Sequence, residues 1–281
     1  MRPLSGAAIV GGLLATGLVC GRMQNAFESR ISFVSVGQGD CTVFQHEGRT
    51  VVIDVAARTD SFDAGERLVA PELYRLGVST IDILILTHPD SDHVGGLPSV
   101  ARRFGIGKVV IPARFRHHKD MNDWLRRAEI EPKSVVWLEH VTEIKLGPYR
   151  LTMDALTDED LVQDNDGSMF CRIVGPKFSA VLTGDASSDA ERRMLAKGGD
   201  WSGQIFKAGH HGSRFSSSAQ WLEAVRPTVC ILSAGRNNVY GHPSPDVLSR
   251  LERLNIQALR TDRDGTITFD LSVSGARRSK R

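Results

Sequence analysis

The stretch IDILILTHPDSDHVGG, from Ile81 to Gly96, constrains this chain more than any other. Its first half is apolar almost throughout, which fits a β-strand covered on both faces. Its second half gathers four potential metal ligands, His88, Asp90, Asp92 and His93, and closes on two glycines. The ligands therefore occupy a loop at the carboxyl end of a buried strand. Imidazole and carboxylate together suit zinc, manganese or iron, whereas calcium sites rarely use imidazole. Strand-like alternation sends His88, Asp90 and Asp92 to one side, and a tightening turn can bring His93 round to a second ion. A lone His-Asp pair would read as a helix cap. Four ligands at this spacing read as a metal site.

Three more strand ends carry polar groups. SAVLTGDASSDAE (Ser179–Glu191) places Asp185 just after an apolar run and before a helix. A carboxylate there can bridge two cations held roughly 3.5–4 Å apart. It can also cap the helix, although Ser187 or Ser188 is better placed for that. IFKAGHHGS (Ile205–Ser213) ends another strand on His210 and His211, and SAGRNNVYGHPS (Ser233–Ser244) follows a fourth with Asn237, Asn238, Tyr240 and His242. Four strand ends turning polar groups to one edge is the arrangement of an active site on an α/β scaffold.

The rest of the chain supports that scaffold. Ile31–Val36, Cys41–His46 and Thr50–Val55 read as a β-meander with glycine-containing turns. Ala64–Leu76 reads as an amphipathic helix. Later strand-rich stretches mix with single helices without strict βαβ alternation, which implies two sheets with helices packed outside. No Pro/Ser-rich linker interrupts residues 28–272, so they are expected to form one domain. Residues 273–281 end in ARRSKR and read as a basic, disordered tail. Residues 1–27 contain an uncharged run, 5–21, after Arg2, which resembles a signal peptide or short anchor. That run opens the alternatives of membrane association and of an unstructured start. It is shorter than the roughly 20 apolar residues that usually span a bilayer. Cysteines at 20, 41, 171 and 230 are too scattered for a zinc ribbon or a disulfide framework.

Seven motifs in order, VGQGD, IDV, THPDSDHVGG, LTGD, GHHGS, SAGRNNVYGHP and TDRDGTI, give the chain a family resemblance. It resembles the metallo-β-lactamase fold and, more narrowly, is similar to the hydrolase domain of ComEC-type DNA-internalisation proteins and their stand-alone relatives. The resemblance runs from Ile31 to about Phe269 and implies an α/β fold, an αββα sandwich with a dinuclear site at one edge. It implies that His88 and Asp90 bind one ion, Asp92 and His93 the other, and that Asp185 bridges them. His210 is the preferred last ligand, with His211 as the fallback. Asp90 stands where the wider superfamily has a histidine, which makes the first site more hospitable to manganese than an all-histidine zinc site. The third-motif histidine is absent from QDNDGSMF (Gln163–Phe170), so Asn165 or Asp166 is expected there, or a water. The usual Asp-x-Gly turn reads Asp54-Val55-Ala56. Asp54 is still expected to orient a ligand histidine.

The activity implied is hydrolysis by two divalent ions, zinc or manganese, which activate water and stabilise developing charge. Asp92 would orient or deprotonate that water. His242 would donate a hydrogen bond to the transition state or protonate the leaving oxygen, and Ser213 and Asn238 would touch substrate. DNA is the leading substrate by resemblance, with a small phosphoester, phosphorylcholine or lactone as the alternative and a non-catalytic metal-binding module as the third reading. β-Lactams fit less well, given Asp90 and the missing histidine. Lysine plus arginine at 35 against 33 acids, a formal net charge of +2, argues against binding nucleic acid through bulk charge. A basic loop at Arg114, Arg116, His117, His118 and Lys119, followed by Arg126 and Arg127, gives local support instead. With no run of transmembrane helices and no N-terminal extension of OB-fold length, the expectation is a detached hydrolase.

Overall fold

A computed structural model describes residues 29–157, 163–272 and 274–279. Among these, the strands β1 (Ser29–Phe33), β2 (Thr42–His46), β3 (Arg49–Ile53), β4 (Thr80–Ile85), β5 (Gly105–Pro112) and β6 (Val135–Leu138) form most of one sheet. Two late strands, β14 (Ile267–Ser272) and β15 (Gly275–Arg278), complete it in the order β15-β14-β1-β2-β3-β4-β5-β6. The second sheet holds β7 (Thr142–Leu146), β8 (Tyr149–Asp154), β9 (Phe170–Gly175), β10 (Phe178–Leu182), β11 (Ile205–Lys207), β12 (Val229–Leu232) and β13 (Gln257–Arg260). Its order is β13-β12-β11-β10-β9-β8-β7. Each sheet is part parallel: β3 through β6 in the first, β10 through β13 in the second.

The two-residue period of a strand explains the layering. In β3, Val51 and Ile53 enter the core between the sheets while Val52 faces outward to the helices. Ile205 and Phe206, and likewise Ile231 and Cys230, divide in the same way in the second sheet. Both faces of both sheets are therefore covered, which is why the strands read as continuous apolar runs. The result is a helix–sheet–sheet–helix sandwich, with the helices Ala70–Arg75, Leu97–Ala101 and Lys119–Arg127 on one side. Ser188–Lys197, Ala219–Val225 and Pro245–Arg253 lie on the other. Ser187, not Asp185, caps the first of these: its hydroxyl accepts from the N–H groups of Asp189 and Ala190.

One expectation is corrected. The basic end is not disordered as far as Arg278, because Gly275–Arg278 pairs antiparallel with β14. The edge of β14 would otherwise present an open row of peptide groups. Arg278 adds an ion pair to Asp264 at 3.0 Å. No helix among the described residues is long and apolar enough to cross a membrane, and the 5–21 run lies outside them.

The loops after β1, β3 and β4 are stapled to one another through their backbones. Asp40 N–H donates to Asp92 O, Val55 N–H to His93 O, Ala56 N–H to Asp40 O and Gly96 N–H to Ala56 O, at 3.2, 2.7, 2.9 and 3.0 Å. Two of these bonds hold Ala56 at φ +65°, the left-handed conformation that the missing glycine would have adopted more easily. The closing glycine of the ligand loop has no such latitude. A Cβ on Gly96 would stand 2.1 Å from Val55 O and 2.7 Å from Gly65 Cα, all backbone. Gly96→Ala is therefore expected to cost about 3 kcal/mol of stability in urea denaturation. A loss below about 0.5 kcal/mol would show that the staple can yield.

Candidate metal centre

The ends of β3, β4, β10, β11 and β12 meet the β1–β2 turn at one edge of the sandwich, and a chain of hydrogen bonds orients the imidazoles there. Buried Asp54 accepts from the Thr87 N–H and hydroxyl at 2.8 and 2.7 Å, and lies 2.7 Å from His93 Nδ1. That contact turns His93 Nε2 toward Asp185 Oδ1, 3.1 Å away. His211 is held alike: Nδ1 donates to Ser233 O at 3.0 Å, and Nε2 lies 3.1 Å from Asp92 Oδ2 and 3.4 Å from Asp185 Oδ2. A histidine fixed through Nδ1 presents its other nitrogen to a metal. His88 is fully buried, its Nδ1 3.0 Å from Thr87 Oγ1 and its Nε2 3.5 Å from Asp90 Oδ2. The Asp90 side chain is half-buried.

Of the two adjacent histidines, His211 is enclosed and His210 is half-exposed, with Nε2 3.7 Å from Asp185 Oδ2. Both have left-handed backbone, φ +47° and +56°. Non-glycine residues in that region cost about 1–3 kcal/mol each and persist where surrounding contacts over-determine them, often at functional sites.

Two residues that the sequence reading did not single out complete the cluster. Asp40, in the VGQGD turn, pairs with the ammonium of Lys207, and both are buried. Its other oxygen lies 3.5 Å from His211 Nδ1. Lys207 occupies the inward register of β11, two residues after Ile205, where a lysine stands out against an apolar core. That register was the signal available in the sequence.

The donor set fits a metal. Ligand atoms from Asp40, His93, Asp185 and His211 all lie within 4.8 Å of one another. His88 Nε2, His93 Nε2, Asp185 Oδ1 and Asp40 Oδ1 are buried without a hydrogen-bond partner. Orphaned polar atoms at this density are costly unless something satisfies them, and a cation held by Asp40, His93, Asp185 and His211 would offer a partner to the first three of these residues.

Electrostatics in the metal-free protein point the same way. Burial opposes charge on His93 and His211, yet Asp185, with Asp54 or Asp40, holds both well above the ordinary histidine range. Against burial, His211 and His93 keep Asp185 well below the ordinary carboxylate value, and His211 and His93 bring Asp92 down to about 2. A metal needs neutral imidazoles, so its uptake must displace protons from His93 and His211. Apparent affinity is expected to rise with pH, about tenfold per unit for each proton released, and to fall in acid. Calorimetric titration in two buffers of different ionisation enthalpy measures that release. Uptake with no buffer-dependent heat would remove both histidines from the ligand set.

The remaining candidates divide. His242 lies beside the cluster, its ring 5.6 Å from that of His210. Burial, then the neighbouring charges of His211 and His210, push it down to about 4. Asn165 and Asp166 line a cleft of about 630 Å³ together with Asp185 and His210. Ser213 is buried and accepts from the Phe215 N–H at 3.4 Å. Asn238, expected to touch substrate, is engaged inside its own loop instead: its amide donates to Gly235 O and His242 O and accepts from His242 N–H. The basic loop is also largely neutralised. Arg116 pairs with Glu139, His118 with Asp164, and Lys119 and Arg126 with Asp123.

A two-sheet sandwich with a His/Asp cluster at the strand ends defines a class. Residues 34–236 match the Metallo-beta-lactamase superfamily, and the chain belongs to it. Members of that superfamily are mostly hydrolases that bind divalent metals. Within it, the chain is 27% identical over 283 aligned residues to ComE operon protein 3 of Bacillus subtilis, covering 95% of this chain and 36% of that protein. It is 28% identical to competence protein ComA of Neisseria gonorrhoeae over 89% of this chain and 33% of that one. The chain thus spans about a third of these relatives' length. The metallo-beta-lactamase fold protein YhfI of Bacillus subtilis superposes with a TM-score of 0.55 at 10% identity, over 83% of this chain and 95% of that one, and shows the shared fold.

Proposed function

We propose that this protein is a phosphodiesterase with a dinuclear divalent-metal site that acts on DNA. The observation that carries this reading is the convergence of buried, unpaired donor atoms of His88, His93, Asp40 and Asp185 at an edge bordered by open clefts. The likeness to a competence protein favours DNA over a small ester. His88, Asp90, Asp92, His93 and Asp185 would hold two ions, zinc or manganese, with His211 or His210 as the last ligand. Bound there, the ions would lower the pKa of water and stabilise charge on the attacked phosphate.

The chain's own groups would do the rest. Asp54 fixes the imidazole of His93 and Ser233 that of His211, so little reorganisation of these two is needed on binding. Asp92, its Oδ2 3.1 Å from His211 Nε2, would orient the water. His242, pushed to about 4, is neutral at neutral pH, which suits it to donating a hydrogen bond rather than a proton. Asn238 positions His242 by clamping its peptide group.

The test is reconstitution. Metal-stripped protein is given manganese or zinc with plasmid DNA, single strands and bis(p-nitrophenyl) phosphate. Cleavage of DNA and of the small diester is expected. Cleavage of the small diester alone would overturn DNA as substrate, and no cleavage despite stoichiometric metal would favour a non-catalytic metal-binding module.

A further inference from the structure

Two aromatic rings stand exposed beside the metal centre. Phe215 and Tyr240 are 64% and 67% exposed, on the loops that follow β11 and β12. Both line one cleft together with His242, whose ring lies 5.6 Å from that of His210. Neither loop is loosely held. Phe215 O accepts from the Ser188 N–H and hydroxyl at 2.7 and 2.8 Å, and Asn238 clamps the loop of Tyr240 through three hydrogen bonds. The fold therefore presents these rings in fixed positions.

Each ring has a planar companion. The Arg214 guanidinium lies 4.8 Å from the Phe215 centroid, and the His242 ring stacks on Tyr240 at 5.8 Å and 26°. Arg214 has no carboxylate partner among the described residues. The cleft continues in both directions. Beyond Arg214 and Phe215 a second cleft of about 540 Å³ is lined by Arg250 and Arg253. Beyond Gly241 and His242 a third, of about 660 Å³, is lined by Arg236 and Arg263. Successive clefts share those walls, so they form one track across the rim of the metal centre. Its acids are Asp246 and Asp262, and Asp262 is already paired with Arg260.

Cations alternating with exposed aromatic faces match a polymer whose backbone is anionic and whose side groups are flat. A duplex keeps its base faces covered, so it could not use the two rings. We propose that this track binds a single-stranded polynucleotide, with bases stacked on Phe215 and Tyr240 and the backbone led by the arginines past the metal centre. The assignment rests on the phosphodiesterase reading above and adds to it the strand state of the substrate.

Fluorescence anisotropy on the full chain in EDTA, where no bond is broken, tests this. The probes are a short oligothymidylate, an abasic oligomer of the same length, and a duplex. The oligothymidylate is expected to bind at least about tenfold more tightly than the abasic strand. Phe215→Ala and Tyr240→Ala should each shrink that ratio about fivefold or more, and Phe215→Trp should preserve it. Arg214→Ala should lower the salt dependence of log K by about 0.7. Equal binding of thymidylate and abasic strands, or a duplex bound as tightly as the single strand, would overturn the proposal. Hydrolysis of bis(p-nitrophenyl) phosphate is scored separately. Its absence sinks the phosphodiesterase reading, whereas its presence with base-independent binding sinks only this one.

Discussion

Asp185→Asn is expected to leave a folded protein that retains no stoichiometric divalent metal and hydrolyses a phosphodiester at least about 10³-fold more slowly. The substitution keeps the side-chain volume, and the Asp185 backbone N–H still donates to Ser168 Oγ at 3.2 Å. What it removes is the charge facing His93 at 3.1 Å and His211 at 3.4 Å. A metal that stabilises transition-state charge supplies several kcal/mol, and each 1.36 kcal/mol is a factor of ten in rate. Circular dichroism checks the fold, elemental analysis the metal, and bis(p-nitrophenyl) phosphate the rate. A variant that keeps both metal and full activity would place the reacting centre elsewhere.

The second large effect concerns stability. Lys207→Met is expected to destabilise the protein by about 3–5 kcal/mol, because it strands the buried carboxylate of Asp40 without its partner. Burial raises the cost of that charge, and Lys207, then His211, hold Asp40 far below the usual carboxylate range. The protonated histidines soften the loss in the metal-free protein, so the lower end of the interval applies there. Asp40→Asn combined with Lys207→Met removes both charges and should recover most of the stability, because a buried pair costs more to break than to replace. Urea unfolding of the two single variants and the double variant gives the coupling energy. A Lys207→Met variant within about 1 kcal/mol of the parent would mean that the ammonium is not buried as a paired charge.

Much of the architecture was legible because it rests on short-range chemistry. Apolar runs with a two-residue period separate the core between the sheets from the layers beneath the helices, and glycine and proline mark the turns. The ligand loop was equally plain, since His88, Asp90, Asp92 and His93 are neighbours in the chain. Asp185 and His211 could be proposed from their places after apolar strands, but which adjacent histidine is enclosed could not. His210 and His211 differ only through consecutive left-handed residues that tertiary contacts impose. The tail was misread because a basic hexapeptide looks soluble by composition, while pairing with an open strand edge depends on where β14 lies.

What the sequence determined by itself is the two-sheet sandwich and the inventory of metal-type ligands at its strand ends. Periodicity and residue chemistry are local, and they survive without coordinates. The tertiary structure alone decided that Asp40 and Lys207, 167 positions apart, neutralise one another beside the cluster. It also decided that the basic loop at 114–119 pairs with Glu139, Asp164 and Asp123 from outside it, while Arg214, Phe215 and Tyr240 face outward at the rim. Those outcomes depend on distances between side chains on different strands, and electrostatic energy in a buried site varies with distance and burial rather than with order along the chain.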